Sequence, residues 1–363
     1  VRLPLLQAGR AHRPVHAQLL PKSMASPALL AHIVTAKFVD GMPLYRQQAQ
    51  FQRLGIELGR ATTGGWVNQL GATHVVPLIN LLNEQLLAQP LIHCDETHLQ
   101  VLKSDKAPTA DHWMWVRAAG PPGQRIVLFD HDPSRAGAVP QRLLQEYRGI
   151  VLTDGYEAYA RVAQTLGFLH AGCWAHARRK FDEARKASPG DSSHAKVALE
   201  FIRQLYGIER AMNESHTPVS PEQRLQQRTQ RSAPVTLQLH AWLEALAPTV
   251  LPQSLLGKAV HYALGQWQKL TVFLKHPIVP LDNNRCENAI RPFVIGRKGW
   301  MFSDTVAGAK ASANLYSLVE TAKANGLEPH AYLTHVFKRL PCATTVEDFE
   351  TLLPWKFKAA PTA

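Results

Sequence analysis

From Ser26 onward, apolar residues recur at three- and four-residue steps: Leu29, Leu30, Ile33, Val34 and Phe38. That period predicts a helix. Gly41-Met-Pro43 breaks it, and a second helix is expected from about Leu44 to Leu54. Gly55 ends that helix, and Ala61-Thr-Thr precedes a third holding Trp66, Val67 and Leu70. Three short helices with tight glycine turns suit a helix-turn-helix; the plainer reading is a small bundle with no DNA role. The Gly64-Gly65 pair weighs against a DNA-reading helix, since each glycine costs about 1 kcal/mol in a helix interior. Residues 1–27 are rich in Pro, Arg and His, carry no period and read as a flexible lead-in.

From Pro90 the pattern changes to short apolar runs. Leu91–Leu102, Trp113–Ala119 and Arg125–Phe129 read as three meandering strands, ended by Asp130-His-Asp-Pro133. Ser134 is placed to cap a helix through Tyr147. Gly149–Asp154 reads as a fourth strand, Glu157–Leu166 as a helix, Phe168–Cys173 as a fifth strand and Trp174–Lys186 as a basic helix. This order predicts an α/β layer.

Residues 187–275 read as wholly helical, with turns at Ser188-Pro-Gly190 and Thr217–Pro221. A short helix follows Leu281, capped by Asp282 or Asn283 and ended or kinked by Pro292. Phe293–Ser303 reads as extended and basic, and Val306–Asn325 as a long helix of small residues closed by Gly326. The expected organisation is therefore a lead-in (1–27), a helical DNA-binding region (28–88), a catalytic domain in two parts (89–186 and 276–340), a helical insertion between them (187–275) and a tail (341–363).

Composition narrows the function. The chain has 363 residues, 40 Lys and Arg against 28 Asp and Glu, and a net charge of +12. So basic a chain points to a polyanion, most simply nucleic acid. Residues 1–88 contribute eight Lys/Arg and three Asp/Glu. With 45% apolar residues the chain buries a real core, and no apolar run reaches the length of a membrane span. Cys94, Cys173, Cys286 and Cys342 stand far apart with no CxxC, which argues against a disulfide framework and fits a reducing, cytoplasmic setting.

Asp95 and Asp154 are embedded in or end apolar strands, where Asp is unfavourable without a purpose. Glu287 lies on a late helix. Each alone has a bland reading, as a turn cap or a solvated surface residue. Together they form an ordered set. In a ribonuclease-H-like layer the first and fourth strands are neighbours, and a late helix packs across their ends. Three carboxylates there can hold two divalent cations, since Mg²⁺ takes oxygen ligands and keeps waters. Two metals clamp the attacking and leaving oxygens of a phosphodiester displacement.

Longer motifs now carry a resemblance. Asp282–Glu287 with Asn288-Ala-Ile-Arg291-Pro, Ile295-Gly-Arg-Lys298-Gly-Trp300-Met-Phe302, Gly308-Ala-Lys-Ala-Ser312-Ala and Tyr316-Ser-Leu-Val-Glu320-Thr-Ala-Lys323 closely resemble the catalytic C-terminal segment of transposases of the insertion sequence sixty-six family. His93-Cys-Asp95-Glu-Thr97, Thr153-Asp154-Gly-Tyr156, Cys173-Trp-Ala-His176-Ala-Arg178-Arg179 and Leu353-Pro-Trp355 look like its other landmarks. Asp40-Gly-Met-Pro-Leu-Tyr45-Arg-Gln is similar to its helical N-terminal part. The resemblance covers about residues 22–357. It implies a DDE transposase with a ribonuclease-H-like domain, whose catalytic and metal-binding residues are Asp95, Asp154 and Glu287. These lie 59 and 133 residues apart. It further implies two Mg²⁺ ions with Mn²⁺ as substitute, DNA partners at the element's ends and target, a homo-oligomer on DNA, accessory proteins, and a cytoplasmic, nucleoid-associated setting. Such transposases usually begin with a coiled-coil-like stretch and a Cys-rich zinc-finger-like segment. Neither is in this sequence, which starts at Val1, so a shortened copy or a chain starting late is expected.

Basic residues complete the reading. Arg178, Arg179 and Lys180 form a cluster that reads as a solvated face or, beside the triad, as phosphate contacts. Arg291, four residues after Glu287, is placed to pair with that carboxylate or with a phosphate. Arg297 and Lys298, flanked by Gly296 and Gly299, read as phosphate contacts on a closely approaching strand. Trp300 suits core packing better than base stacking. Asn283 and Asn284 are candidates to orient the metal shell. Cys173 and His176 lack the second ligand pair of a structural zinc site; packing, or the CxxH element of some DDE transposases, is the preferred reading. Two rivals remain: a DNA-binding regulator that has lost its chemistry, and a paired-carboxylate glycosidase, which leaves the positive charge unexplained.

Overall fold

The computed structural model describes residues 18–187, 193–215 and 217–358. Most of the lead-in and the turn expected at Ser188–Gly190 lie outside them. Within 18–26, Leu19 and Leu20 are buried in the core, where a flexible segment was expected. Four helices follow: α1 (Pro27–Phe38), α2 (Leu44–Arg53), α3 (Arg60–Gln69) and α4 (Val76–Leu87). Ser26 caps α1 through the Leu29 amide, and Pro27 takes the first-turn position, where a missing N–H costs nothing.

The chain then forms β1 (Leu91–Lys103), β2 (Asp111–Ala119) and β3 (Ile126–Asp132), the short helix α5 (Ala138–Leu143), β4 (Ile150–Thr153), α6 (Glu157–Leu166), β5 (Leu169–Gly172) and α7 (Trp174–Ala187). Ser134 does not cap α5, which starts four residues later and stops before Tyr147. The sheet order is β3-β2-β1-β4-β5. β1, β2 and β3 pair antiparallel, and β4 and β5 run parallel to β1. Parallel neighbours need crossovers, supplied by α5 and α6.

The insertion comprises α8 (Ser193–Asn213), α9 (Pro221–Gln227), α10 (Ala233–Leu246), α11 (Leu255–Gly265) and the single turn α12 (Trp267–Leu270). Next come α13 (Asn284–Trp300), β6 (Ser303–Thr305), which pairs with β1, then α14 (Val306–Ala324), α15 (Pro329–Arg339) and α16 (Val346–Glu350). α13 corrects the expectation of an extended Phe293–Ser303. It passes through Pro292 and ends at Trp300. Proline forfeits one helical hydrogen bond, but Phe293 is fully buried against Phe129, Tyr316 and Trp300, and that packing outweighs the loss.

Two apolar cores flank the sheet. One joins α1, α3 and α4 to β1–β3, α13, α14 and α15, so the N-terminal helices share the core of the sheet. The other joins β4, β5 and α7 to the insertion, through Leu152, Trp174, Phe181, Ile202, Leu243 and Phe273. The insertion carries a buried cation. Arg228, 1% exposed, donates to both Glu209 oxygens at 2.7 and 2.9 Å and to the carbonyls of Phe273, His276 and Val279 at 2.6, 2.9 and 3.0 Å. It pins the segment that leads into α13.

Removing one partner of a buried pair strands the other. Arg228→Met is expected to cost about 3–5 kcal/mol, read as a fall in denaturation midpoint. Arg224 also bonds Glu209, at 2.7 Å, so the loss should grow further in the Arg224→Met, Arg228→Met double variant.

Candidate active site

The β1–β4 register aligns Ile92 with Val151 and His93 with Leu152. Two residues further on stand Asp95, still within β1, and Asp154, just past the end of β4. β4 stops at Thr153, and the Asp154 carboxylate accepts the Tyr156 N–H at 2.9 Å in the turn that follows. A Cβ at Gly155 would lie 2.6 Å from the Tyr262 ring, so glycine there lets α11 close against this turn.

Glu287 enters from the first turn of α13, which Asn283, Arg285 and Cys286 anchor. The buried Asn283 donates its Nδ2 to the Cys94 carbonyl at 2.8 Å, and its Oδ1 lies 2.9 Å from His93 Nδ1. Since the amide nitrogen is spent on Cys94, His93 is the donor of the second bond. Arg285 donates to the carbonyls of Ala119 and Gly120, and Cys286 packs its thiol on the Val116 carbonyl. Of the two expected caps, Asn283 turns its side chain to β1 instead, while Asp282 accepts the Asn284 N–H at 3.2 Å.

Electrostatics tie the three carboxylates together. Burial pushes Asp95 up to about 7, and Glu96, Asp154 and Glu287 add to the rise. Burial likewise pushes Glu96 to about 7, against the pull of Arg135. Glu287 Oε1 is buried without a hydrogen-bond partner and lies 3.7 Å from His176 Nδ1, which is also buried and unpartnered. Burial draws His176 below its ordinary range, while Asp154 and Glu287 hold it up. The Cys173 thiol, a His176 nitrogen and a Glu287 oxygen all lie within 4.8 Å of one another.

The basic residues divide. Arg179 lies 3.7 Å from Glu287, Lys180 sits over the Tyr262 ring at 4.7 Å, and Arg178 is exposed beside them on α7. Arg291 is exposed and, among the described residues, makes no ion pair with Glu287. Lys298 is exposed too. Arg297 is not free as expected: it donates to the His98 carbonyl and to Thr97 Oγ1, bracing α13 on β1. The glycines beside it serve packing. A Cβ at Gly296 would meet the Tyr316 hydroxyl at 2.8 Å, and one at Gly299 the Gly41 carbonyl at 2.9 Å. Trp300 packs on Phe293, with Lys37 over its ring. Asp130 and Asp132, read as turn residues, pair with Arg117 and Arg142.

Sequence reasoning missed Glu96 and Arg135. Glu96 follows Asp95 directly, and its side chain is 2% exposed. Arg135 bonds it at 2.8 and 3.0 Å while lying over the rings of Trp113 and Tyr156. The signal available was an acidic pair inside an apolar strand, with a lone Arg after the third strand.

Comparison with known proteins gives the family. The chain belongs to the transposase IS66 family, whose model matches residues 22–311, and the IS66 C-terminal element matches residues 317–355. It is 35% identical over 358 residues to the uncharacterized protein y4jD of Sinorhizobium fredii (strain NBRC 101917 / NGR234), covering 95% of this chain and 69% of that one. Uncharacterized y4hP of the same organism is 31% identical, covering 96% of this chain and 65% of its own. Uncharacterized y4qI is 29% identical, with 94% and 64% covered. The chain thus spans about two thirds of the length of these relatives. No helix of the described residues is long and apolar enough to cross a membrane.

Asn283→Ala should leave the His93 N–H and the Cys94 carbonyl buried and unsatisfied. We expect a loss of about 2–4 kcal/mol in unfolding free energy, with His93→Ala in the same chain costing less than it does alone, measured as a double-mutant cycle.

Proposed function

We propose that this chain is a DDE transposase with a ribonuclease-H-like catalytic domain, in which Asp95, Asp154 and Glu287 hold two Mg²⁺ ions, Mn²⁺ substituting. The observation that carries the reading is that Asp154, just past the end of β4, and Glu287, on α13, both lie near enough to Asp95 in β1 to raise its carboxyl. A mostly buried Asp95 whose carboxyl is raised by burial and by Glu96, Asp154 and Glu287, with a Glu287 oxygen lacking any partner, fits a site built for cations. The strand order, three antiparallel then two parallel, supports the ribonuclease-H-like assignment. Bound there, the ions supply activation of a water or 3′-hydroxyl and stabilisation of the leaving oxygen. The chain's own part is positioning. β1 and β4 fix the two aspartates, and Asn283, Arg285 and Cys286 fix the helix that presents Glu287. Arg178 and Arg179 lie where they can neutralise the phosphates of the scissile strand. α3 buries Thr63 and Val67 and leaves Arg60, Thr62 and Gln69 exposed, which supports DNA contact by the N-terminal helices. Cleavage at element ends and transfer into a target, within an oligomer and with accessory proteins, complete the proposal.

The test is Asp154→Asn. It keeps shape and removes one ligand charge, so Mg²⁺-dependent cleavage of end-containing DNA should fall at least 10³-fold, on the order of 4 kcal/mol of barrier. DNA affinity should hold or rise slightly. Cleavage near the parent's rate would refute the assignment.

A second measurement separates the basic residues. Arg291→Ala and Lys298→Ala should each lower the slope of log affinity against log salt by about one unit, uniformly across DNA sequences. Arg297→Ala should instead lower the melting temperature and leave that slope unchanged, because its guanidinium is spent on β1.

A further inference from the structure

We propose that Cys173, His176 and Glu287 form a second cation site, one for a thiophilic divalent ion such as zinc, which shares Glu287 with the magnesium site. The site itself stands on the geometry of the three side chains; only its consequence for cleavage rests on the function proposed above.

Three observations carry it. First, the three ligand atoms already lie within 4.8 Å of one another. A tetrahedral zinc with bonds of about 2.0–2.3 Å needs them roughly 3.3–3.7 Å apart. His176 Nδ1 and Glu287 Oε1, at 3.7 Å, are already there, and closing the set needs side-chain shifts of about 1 Å. Second, those two atoms are buried, too far apart to hydrogen-bond, and without another partner. A buried polar atom left unmet is costly, so this pair lacks something between its members. Third, the thiol is oriented rather than merely packed. Cys173 immediately precedes α7, a 14-residue helix, and its Sγ accepts the Asn283 N–H at 3.3 Å. Burial pushes the Cys173 thiol up, and the backbone N–H groups aimed at its sulfur work against that rise, so they hold the sulfur in place for a metal that displaces its proton.

The donor set decides the metal. Mg²⁺ takes hard oxygen ligands and shuns sulfur. A thiolate, an imidazole and a carboxylate suit zinc, with a water as fourth ligand. Arg179, beside Glu287, is 56% exposed and free to swing away. Because Glu287 serves both sites, zinc held here withdraws a ligand from the aspartates. The consequence is inhibition of magnesium-supported cleavage by low zinc.

The test uses the full chain, stripped of metal by chelation, and Co²⁺ as probe. Expected is one equivalent of bound cobalt with a near-ultraviolet thiolate-to-cobalt charge-transfer band, displaced by zinc and not by magnesium. Cys173→Ser should abolish the band, and His176→Gln should weaken cobalt binding at least tenfold. Asp95→Asn and Asp154→Asn should keep the band, so its presence is read independently of whether the chain cleaves DNA. Should Cys173→Ser fail to fold, the half-buried His176→Gln variant decides alone. No charge-transfer band in the parent, a band that survives in Cys173→Ser, or cobalt affinity unchanged in His176→Gln would each overturn the site. In the parent, zinc should also inhibit cleavage; cobalt binding without such inhibition would overturn the sharing of Glu287.

Discussion

The carboxamide of Asn283 is the joint on which the acidic cluster depends. It is completely buried, and each of its polar ends is used. One end binds the main chain of β1 one residue before Asp95, and the other takes the His93 imidazole two residues before it. Its own main-chain N–H reaches the Cys173 sulfur at the head of α7. One residue thus ties β1, α7 and α13 together, the three elements that carry Asp95, His176 and Glu287. A buried amide cannot shift by even an ångström without orphaning a partner, so this joint is rigid in a way that apolar packing alone is not.

The insertion makes sense in the same terms. A gap of 133 residues separates Asp154 from Glu287, yet both lie close enough to His176 to hold its pKa up against burial. The insertion does not loop away from the sheet. It packs on β4, β5 and α7 through its own core, and its Arg228 collects three carbonyls of the segment just ahead of α13. The long excursion is returned to the sheet by directional bonds at its exit. Tyr262 of α11 closing on Gly155 ties it also at its entry, beside Asp154.

Much of this was legible in the chain. The strand of Leu91–Leu102, the fourth strand ending on Asp154 and the helix of Glu157–Leu166 each follow from period, turn residues and apolar runs, and the structure places them within one or two residues. α13 was not legible beyond Pro292. Proline and two glycines argue locally against a helix, and the residues that overrule them, Phe129 and Tyr316, lie far away in sequence. The same blindness misread Gly296 and Gly299, which make room for Tyr316 and Gly41 rather than for DNA. Arg297 looked free because its acceptors, the His98 carbonyl and Thr97, lie about 200 residues upstream. Glu96 was hidden by alternation. Beside a buried Asp95 it should have faced solvent, and only Arg135, stacked over two rings, makes its burial tolerable.

That tolerance is incomplete. Glu96 keeps one buried oxygen without a partner, and Asp95 and Glu96 are both held near neutrality by burial. A carboxylate whose folded pKa lies above its unfolded value detracts from stability as pH rises through the window between them. Here that window runs from about 4 to about 7 for both groups. The cluster therefore works against the fold at neutral pH, and the surrounding structure has to offset it. The ordered bonds of Asn283 and Arg285, with Phe293 locked into the core across a proline, hold α13 against the strands that carry this burden. Like charges kept together by a scaffold of this stiffness cannot relax apart, so they are relieved chiefly by taking up protons or cations. A scaffold this stiff thereby holds the Asp95 and Glu96 carboxyls above their ordinary range.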